Sequence, residues 1–209
     1  MKLAVIIPFR DREEHLKVFL EEFTKKVNIE DYIIIIVEQY KEKLFNRAKL
    51  FNIGFDFIKD KVDYVCFHDV DLIPEICDYS YTDIPLHLSK YSSQFNYKLP
   101  SLGLYGGVNL MSNENFTKIN GFSNDFWSWG GEDDDLLSRV RHFGYELKRR
   151  ECRYKSLPHK KSDRSNRINN VKKLKSKYNY LEDGLSTLEY KVLEEVKLND
   201  FTIKIKVEL

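Results

Sequence analysis

Cysteine is scarce in this 209-residue chain: Cys66, Cys77 and Cys152 make an odd count with no CxxC spacing. That pattern indicates neither a disulfide framework nor a zinc site, and it makes buried free thiols the expectation. No apolar run approaches the roughly 20 residues that span a bilayer, and the N-terminus, MKLAVIIPFRDREEH, turns charged too soon for a secretory signal. A cytoplasmic protein without a transmembrane segment is expected, with peripheral membrane association left open. An excess of one charge is also missing. The 34 basic and 33 acidic residues give a formal net charge of +1, which points to no nucleic-acid partner, so only the distribution of charge is informative. Internal repeats, low-complexity tracts and linkers are absent as well. A hydrophobic content of 42% is that of one globular domain spanning 1–209.

What is present begins with two short apolar, β-branched runs, Leu3 to Pro8 and Tyr32 to Glu38, which read as buried strands. Between and after them, Leu16, Phe19, Leu20 and Phe23, then Ala48, Phe51, Phe55 and Ile58, recur at helical spacing. DYVCFHDVD supplies a third strand that runs into acids. Strand and helix alternating in this way predict an α/β fold with a mostly parallel central sheet and right-handed crossovers. Ligands then belong beyond the carboxyl ends of the strands, at Pro8 to Arg12, Glu38 to Gln39 and His68 to Asp71. The first strand is followed by no GxGxxG, which counts against a dinucleotide site. Ser89 to Leu110 reads as loops with short strands, Leu136 to Phe143 as a helix stopped by Gly144, and at least part of the basic Lys148 to Lys177 as an exposed, mobile loop. FTIKIKVEL alternates as an edge strand does, with Phe201, Ile203, Ile205 and Val207 on one face.

Two acidic clusters carry the chemistry. In FHDVDLIP, Asp69 and Asp71 sit at the mouth of a buried strand. Hard carboxylate oxygens there suit Mg²⁺ or Mn²⁺, which keep water and share positions with phosphates. A solvated turn is the plain alternative. Arg10, Arg12 and Arg47 follow the first strand or open the second helix, where they would suit a diphosphate. The second cluster, FWSWGGEDDD, sets Trp127, Trp129, Gly130 and Gly131 before Glu132, Asp133, Asp134 and Asp135. Carboxylates in a first helical turn are favoured by the helix dipole. That explains the acids and leaves the indoles and glycines unexplained. An indole face beside carboxylates can hold a sugar, and adjacent carboxylates disfavour one another's ionisation, so a partly buried member can accept a proton.

Taken together, IIPFRDREEHL, FNRAKLFNIGF, FHDVDLIP, YGGVNLMSNENFTKINGF and FWSWGGEDDDLLSR resemble, in order, the β-1,4-galactosyltransferases, inverting enzymes of the GT-A fold. The resemblance covers most of Leu3 to Arg141 and extends more weakly through His159 to DGLSTLEYKVL. It implies a nucleotide-sugar part at 1–88 and an acceptor part at 89–209, with a mobile basic loop near 152–170. Pro8, Phe9, Arg10, Arg12, Phe45, Asn46 and Arg47 would line the UDP pocket, Asp69 and Val70 would adjoin the nucleotide, and Asp71 with His159 would bind Mn²⁺, or Mg²⁺. Trp129 would meet donor and acceptor. Gly131, Glu132, Asp133, Asp134 and Arg164 would hold the acceptor sugar, with Asp133 as general base and Glu132 beside it. The implied reaction moves galactose from UDP-galactose to a hydroxyl of a GlcNAc- or Glc-terminated glycan in β-1,4 linkage.

The chain departs from that pattern at two informative positions. Ser156 stands where vertebrate members have a methionine metal ligand, and Leu104 stands where they carry tyrosine. The smaller capacity for hydrogen bonding at Leu104 leaves N-acetylgalactosaminyl transfer from UDP-GalNAc as the alternative. Rivals from other classes are a nuclease or phosphotransferase using both acidic clusters around a metal pair, and an RNA- or membrane-binding module built on 148–177.

Overall fold

Residues 1–40, 43–159, 164–176 and 179–209 are described in the structure, a computed structural model. The chain opens with β1 (Leu3–Phe9), α1 (Glu13–Lys26), β2 (Tyr32–Gln39), α2 (Arg47–Ile58) and β3 (Tyr64–His68). As the alternation predicts, β1 pairs in parallel with both β2 and β3. Every residue of β1 is buried because both faces of the sheet are covered. Ala4 and Ile6 face α2 and its Phe51 and Phe55, whereas Leu3, Val5 and Ile7 face α1 through Phe19 and Phe23. Burial on two sides is why these strands read as continuous apolar runs. Gly54 lets α2 lie close to the sheet, since a Cβ there would stand 2.3 Å from Ile6 Cγ2.

The chain continues through β4 (Leu72–Ile76), β5 (Leu86–His87), β6 (Tyr91–Ser92), β7 (Val108–Ser112), α3 (Asn113–Lys118) and α4 (Glu132–His142). It ends with β8 (Lys148–Arg149), β9 (Arg153–Ser156), α5 (Arg167–Ser176), β10 (Lys191–Asn199) and β11 (Thr202–Glu208). The larger sheet has the order β10-β11-β2-β1-β3-β7-β5-β8, and a small sheet has the order β4-β9-β6. The large sheet is parallel at its centre and antiparallel where β7 meets β3 and β5 and where β10 meets β11.

Three expectations are corrected. β11 is not an edge strand: it pairs in parallel with β2 on one side and antiparallel with β10 on the other, so β10 is the edge. Alternation in FTIKIKVEL reflects one buried face, which an interior strand next to an exposed partner shares with an edge strand. The basic stretch is also more ordered than a loop, since β8, β9 and α5 fall within it; residues 160–163 and 177 of it lie outside the described residues. Finally, Cys77 and Cys152 are joined in a disulfide, while Cys66 is the buried free thiol that was expected of all three. Antiparallel pairing of β4 with β9 sets Ile76 opposite Arg153, which brings the neighbouring cysteines together across 75 residues of sequence. No local spacing could reveal that pair.

Candidate active site

Arg47 is the centre on which the two acidic clusters meet. Asn46 caps α2 by accepting from the backbone N–H of Lys49 at 2.9 Å, which fixes Arg47 at the helix start. From there its Nε donates to Asp69 Oδ1 at 2.6 Å and one terminal nitrogen donates to Asp133 Oδ1 at 2.8 Å. Glu132 Oε1 lies 3.5 Å from the same nitrogen. The guanidinium also lies over the Phe51 ring, 4.7 Å from its centroid. Asp69, which follows β3, and Asp133, in the first turn of α4, therefore meet on one guanidinium although 64 positions separate their numbers.

Burial and crowding shape the ionisation of this cluster. Burial alone would lower the Arg47 pKa, but the carboxylates of Asp133, Asp69 and Glu132 reverse the effect and leave it raised. Burial pushes Asp69 up to about 6 against the pull of Arg47. Glu132 goes up to about 7 through burial, with the Asp133 carboxylate adding to it, and Asp134 is raised for the same two reasons. Glu132 Oε2 and one terminal nitrogen of Arg47 are buried without a hydrogen-bond partner. Two opposite polar groups left unmatched at one place mark a site that a ligand can complete.

Two residues on from Asp69, Asp71 meets His159. Leu72 and Ser156 are paired across β4 and β9, and the backbone N–H of Leu157 donates to the carbonyl of Asp71 at 2.8 Å. This brings His159 Nε2 to 2.9 Å from Asp71 Oδ2. Arg12 flanks both, with one terminal nitrogen 3.9 Å from the Asp71 carboxylate and the other 3.3 Å from His159 Nδ1. Adjacent ligands of an octahedral cation with bonds of about 2.1 Å stand about 3 Å apart, so this oxygen and nitrogen fit one divalent ion. Among the described residues no group of three or more His, Cys, Asp or Glu side chains gathers around a point. The remaining positions of such an ion are thus left to water and to an anionic ligand. Ser156 is turned to other work, with its Oγ 2.6 Å from Ser92 Oγ.

The tryptophan segment runs into Glu132 and Asp133 through an unusual backbone. Ser128, Gly130 and Gly131 all have positive φ. At Gly131 a Cβ would stand 2.7 Å from the Phe126 ring, so glycine is required there on two counts. Trp129 is 39% exposed, and its indole is met by two guanidinium groups, Arg164 at 4.3 Å and Arg167 at 5.5 Å. Arg167 was not anticipated, though its three-residue spacing from Arg164 was a readable signal. α5 is held by Asn166 and Asn170, each donating to the Trp127 carbonyl at 3.1 Å.

Of the remaining predicted residues, Pro8, Phe9 and Val70 are buried. Arg10 donates to the Lys43 carbonyl at 2.8 Å and lies over Phe45, 5.1 Å from the ring centroid. Asn46 is fully buried between Gln39 and Asn124, so it acts as scaffold beneath the pocket. The three arginines do not converge side by side: Arg12 stands at Asp71, Arg10 at Phe45, and Arg47 is engaged by three carboxylates. Leu104, half-buried, lies in the loop before Gly106 and Gly107, and a Cβ on Gly106 would stand 2.4 Å from Asp133 Oδ2. A surface cavity of about 550 Å³ lined by Tyr81, Thr82, Asp83, Ile84, Leu86, Arg149 and Arg150 includes none of the predicted site residues.

This geometry can be set beside known proteins. Residues 1–82 match the family model described as the N-terminal region of glycosyl transferase group 7, and residues 86–160 match one described as the N-terminal domain of galactosyltransferase. Human β-1,4-galactosyltransferase 6 is 40% identical over the whole of this chain and 58% of its own length, and bovine β-1,4-galactosyltransferase 1 is 38% identical over the whole chain and 54% of its own. The chain belongs to the β-1,4-galactosyltransferase family. It spans little more than half the length of these curated family relatives. The catalytic domain of Drosophila β-1,4-galactosyltransferase 7, solved with xylobiose, superposes with a TM-score of 0.84 at 29% identity, covering all of this chain and 94% of that one. A mutant of the same Drosophila protein was solved with manganese, UDP-Gal and xylobiose, with a TM-score of 0.80. The architecture of this family member is accordingly the GT-A fold.

Proposed function

We propose that this chain transfers galactose from UDP-galactose to a hydroxyl of an acceptor sugar, with inversion and in β-1,4 linkage. The observation that carries the reading is that Arg47 bonds Asp69 and Asp133 at once, so the nucleotide-side and acceptor-side acids are held at one place. Asp71 and His159 are the residues that would hold Mn²⁺, which when bound supplies positive charge for the departing diphosphate. Arg12, beside them, adds a fixed cation for the same diphosphate. Asp133 takes the proton from the acceptor hydroxyl as that oxygen attacks the anomeric carbon from the face opposite UDP, forming the new C–O bond as the bond to UDP breaks. General base catalysis supplies about 10²- to 10⁴-fold, leaving the rest to positioning and charge stabilisation. Trp129, Gly131 and Asp134 bound the place where the acceptor ring would stack. The Drosophila relative's complex with manganese, UDP-Gal and xylobiose supports the same assignment of substrates.

UDP-GalNAc is the competing donor, because Leu104 offers no polar group to the sugar. Peripheral membrane attachment is favoured by α5, whose Asn170 face is buried while Ile168 and Val171 point outward beside Lys172. Thermal-shift titration tests the main reading. UDP with Mn²⁺ raises the melting temperature, and Asp71→Ala weakens the shift. No shift with UDP at any Mn²⁺ concentration refutes nucleotide binding.

A further inference from the structure

Behind Asp133, on β5 and β8, lies a buried polar cluster for which the transfer chemistry gives no role. His87 is fully buried. Its Nε2 is 2.9 Å from the Gly106 carbonyl, and its Nδ1 is 3.3 Å from Arg149 Nε. A carbonyl only accepts and a guanidinium only donates, so the ring is neutral with its proton on Nε2. Burial agrees with this, pushing the imidazole pKa down to about 4. Ser89 Oγ donates to the same Gly106 carbonyl at 2.6 Å while accepting from the backbone N–H of Val108 at 3.1 Å. Arg149 reaches further, with one terminal nitrogen donating to the carbonyls of Leu102 and Leu104 at 2.7 and 2.9 Å. The carbonyls of Leu102, Leu104 and Gly106 are thus all gripped from β5 and β8. The same loop also adjoins the Asp133 carboxylate, since a Cβ on Gly106 would stand 2.4 Å from Asp133 Oδ2.

We propose that His87 and Arg149 are positioning residues that hold the 102–107 loop as a rigid floor under Asp133 and the donor sugar, and so govern both the transfer rate and the choice of donor sugar. The inference rests on the proposed transferase reading. Neither residue touches substrate. They act through the loop: His87 donates to Gly106 beside the proton acceptor, and Arg149 orients the backbone that carries Leu104. Because only the loop is affected, the UDP and metal side at Arg12, Asp71 and His159 is left intact.

The experiment compares His87→Leu, His87→Gln, Arg149→Ala and wild type. Three quantities are read: kcat for galactosyl transfer, the ratio of kcat/KM between UDP-galactose and UDP-GalNAc, and the affinity for UDP with Mn²⁺. His87→Leu and Arg149→Ala are expected to lower kcat about 10- to 100-fold, since small misplacements of reacting groups cost that much. Affinity for UDP should stay within about twofold. His87→Gln, whose amide can still donate to the Gly106 carbonyl, should recover most of the rate. Arg149→Ala should change the donor ratio at least about fivefold. A merely structural role would instead lower stability and UDP affinity together, with no rescue by glutamine, and that pattern overturns the proposal. If His87→Leu does not fold, Arg149→Ala carries the test alone, and an unchanged kcat and donor ratio in it are decisive against. Wild type that binds UDP but transfers neither sugar overturns the functional reading and this inference with it; wild type that turns over beside unaffected variants overturns this inference only.

Discussion

Replacing Gly106 with alanine isolates the contact on which proton transfer depends. The new Cβ would stand 2.4 Å from Asp133 Oδ2 and 3.0 Å from its carboxyl carbon. Ordinary contact begins near 3.4 Å, so the carboxylate retreats by about 1 Å, the displacement for which roughly 100-fold losses in rate are typical. Retreat also strains the 2.8 Å bond from Arg47 to Asp133 Oδ1. Gly106, unlike Gly107, does not have a positive φ, so alanine adopts its backbone without strain and the effect is local to Asp133. Overpacking of this kind costs about 1 to 3 kcal/mol of stability. Steady-state kinetics at saturating donor should show kcat reduced about 100-fold while affinity for UDP with Mn²⁺ is kept. Gly103→Ala is the control, because the nearest atom to its Cβ is 3.9 Å away, and it should leave kcat unchanged. A folded Gly106→Ala protein with kcat within about threefold of wild type refutes the placement of Asp133 as base.

Asp133→Asn keeps the shape of the side chain but cannot take a proton; single-turnover assays should show transfer lost with UDP binding retained, and equal rates would strip Asp133 of its role. Arg139 is fully buried, donating to Asp135 at 2.7 Å and to the carbonyls of Tyr180 and Asp183 at 3.1 and 2.8 Å. Arg139→Met leaves the Asp135 carboxylate buried and uncompensated, an expected loss of about 3 to 5 kcal/mol by urea denaturation, and a loss below about 1 kcal/mol would contradict it. Glu132 has its pKa raised from 4.5 to about 7, so its contribution to stability is fully present below about 4.5 and lost as pH rises through about 7. Glu132→Gln should therefore gain on wild type between pH 4.5 and 8 in urea midpoints measured without metal or nucleotide. A difference that stays constant across that range counts against the burial of this charge.

The legible parts of this protein were those in which neighbouring residues speak for one another. Leu3 to Pro8 and Tyr32 to Glu38 announced themselves because a strand covered on both faces is apolar at every position. The helix repeat of Phe19 and Phe23 did so because helical spacing follows from a single buried face, whereas α2, with Phe51 and Phe55, is buried on most sides. Asp69 and Asp71 at a strand end, and the indoles and glycines before four acids, named the two halves of the site for the same local reason.

Sequence alone determined the strand and helix order, the two acidic clusters and the glycines that the turn before α4 requires. Tertiary structure decided which distant groups meet: Cys77 with Cys152, Asp71 with His159, β11 between β2 and β10, and His87 with Arg149 behind Gly106. Those pairings arise from strand order and register, which bring together residues far apart in the chain. No local periodicity encodes them, because each partner alone looks like an ordinary residue of its own strand or loop. Arg47 makes the point most sharply. Its position at a helix start suggested an anion, and only the fold made that anion a ring of the protein's own carboxylates.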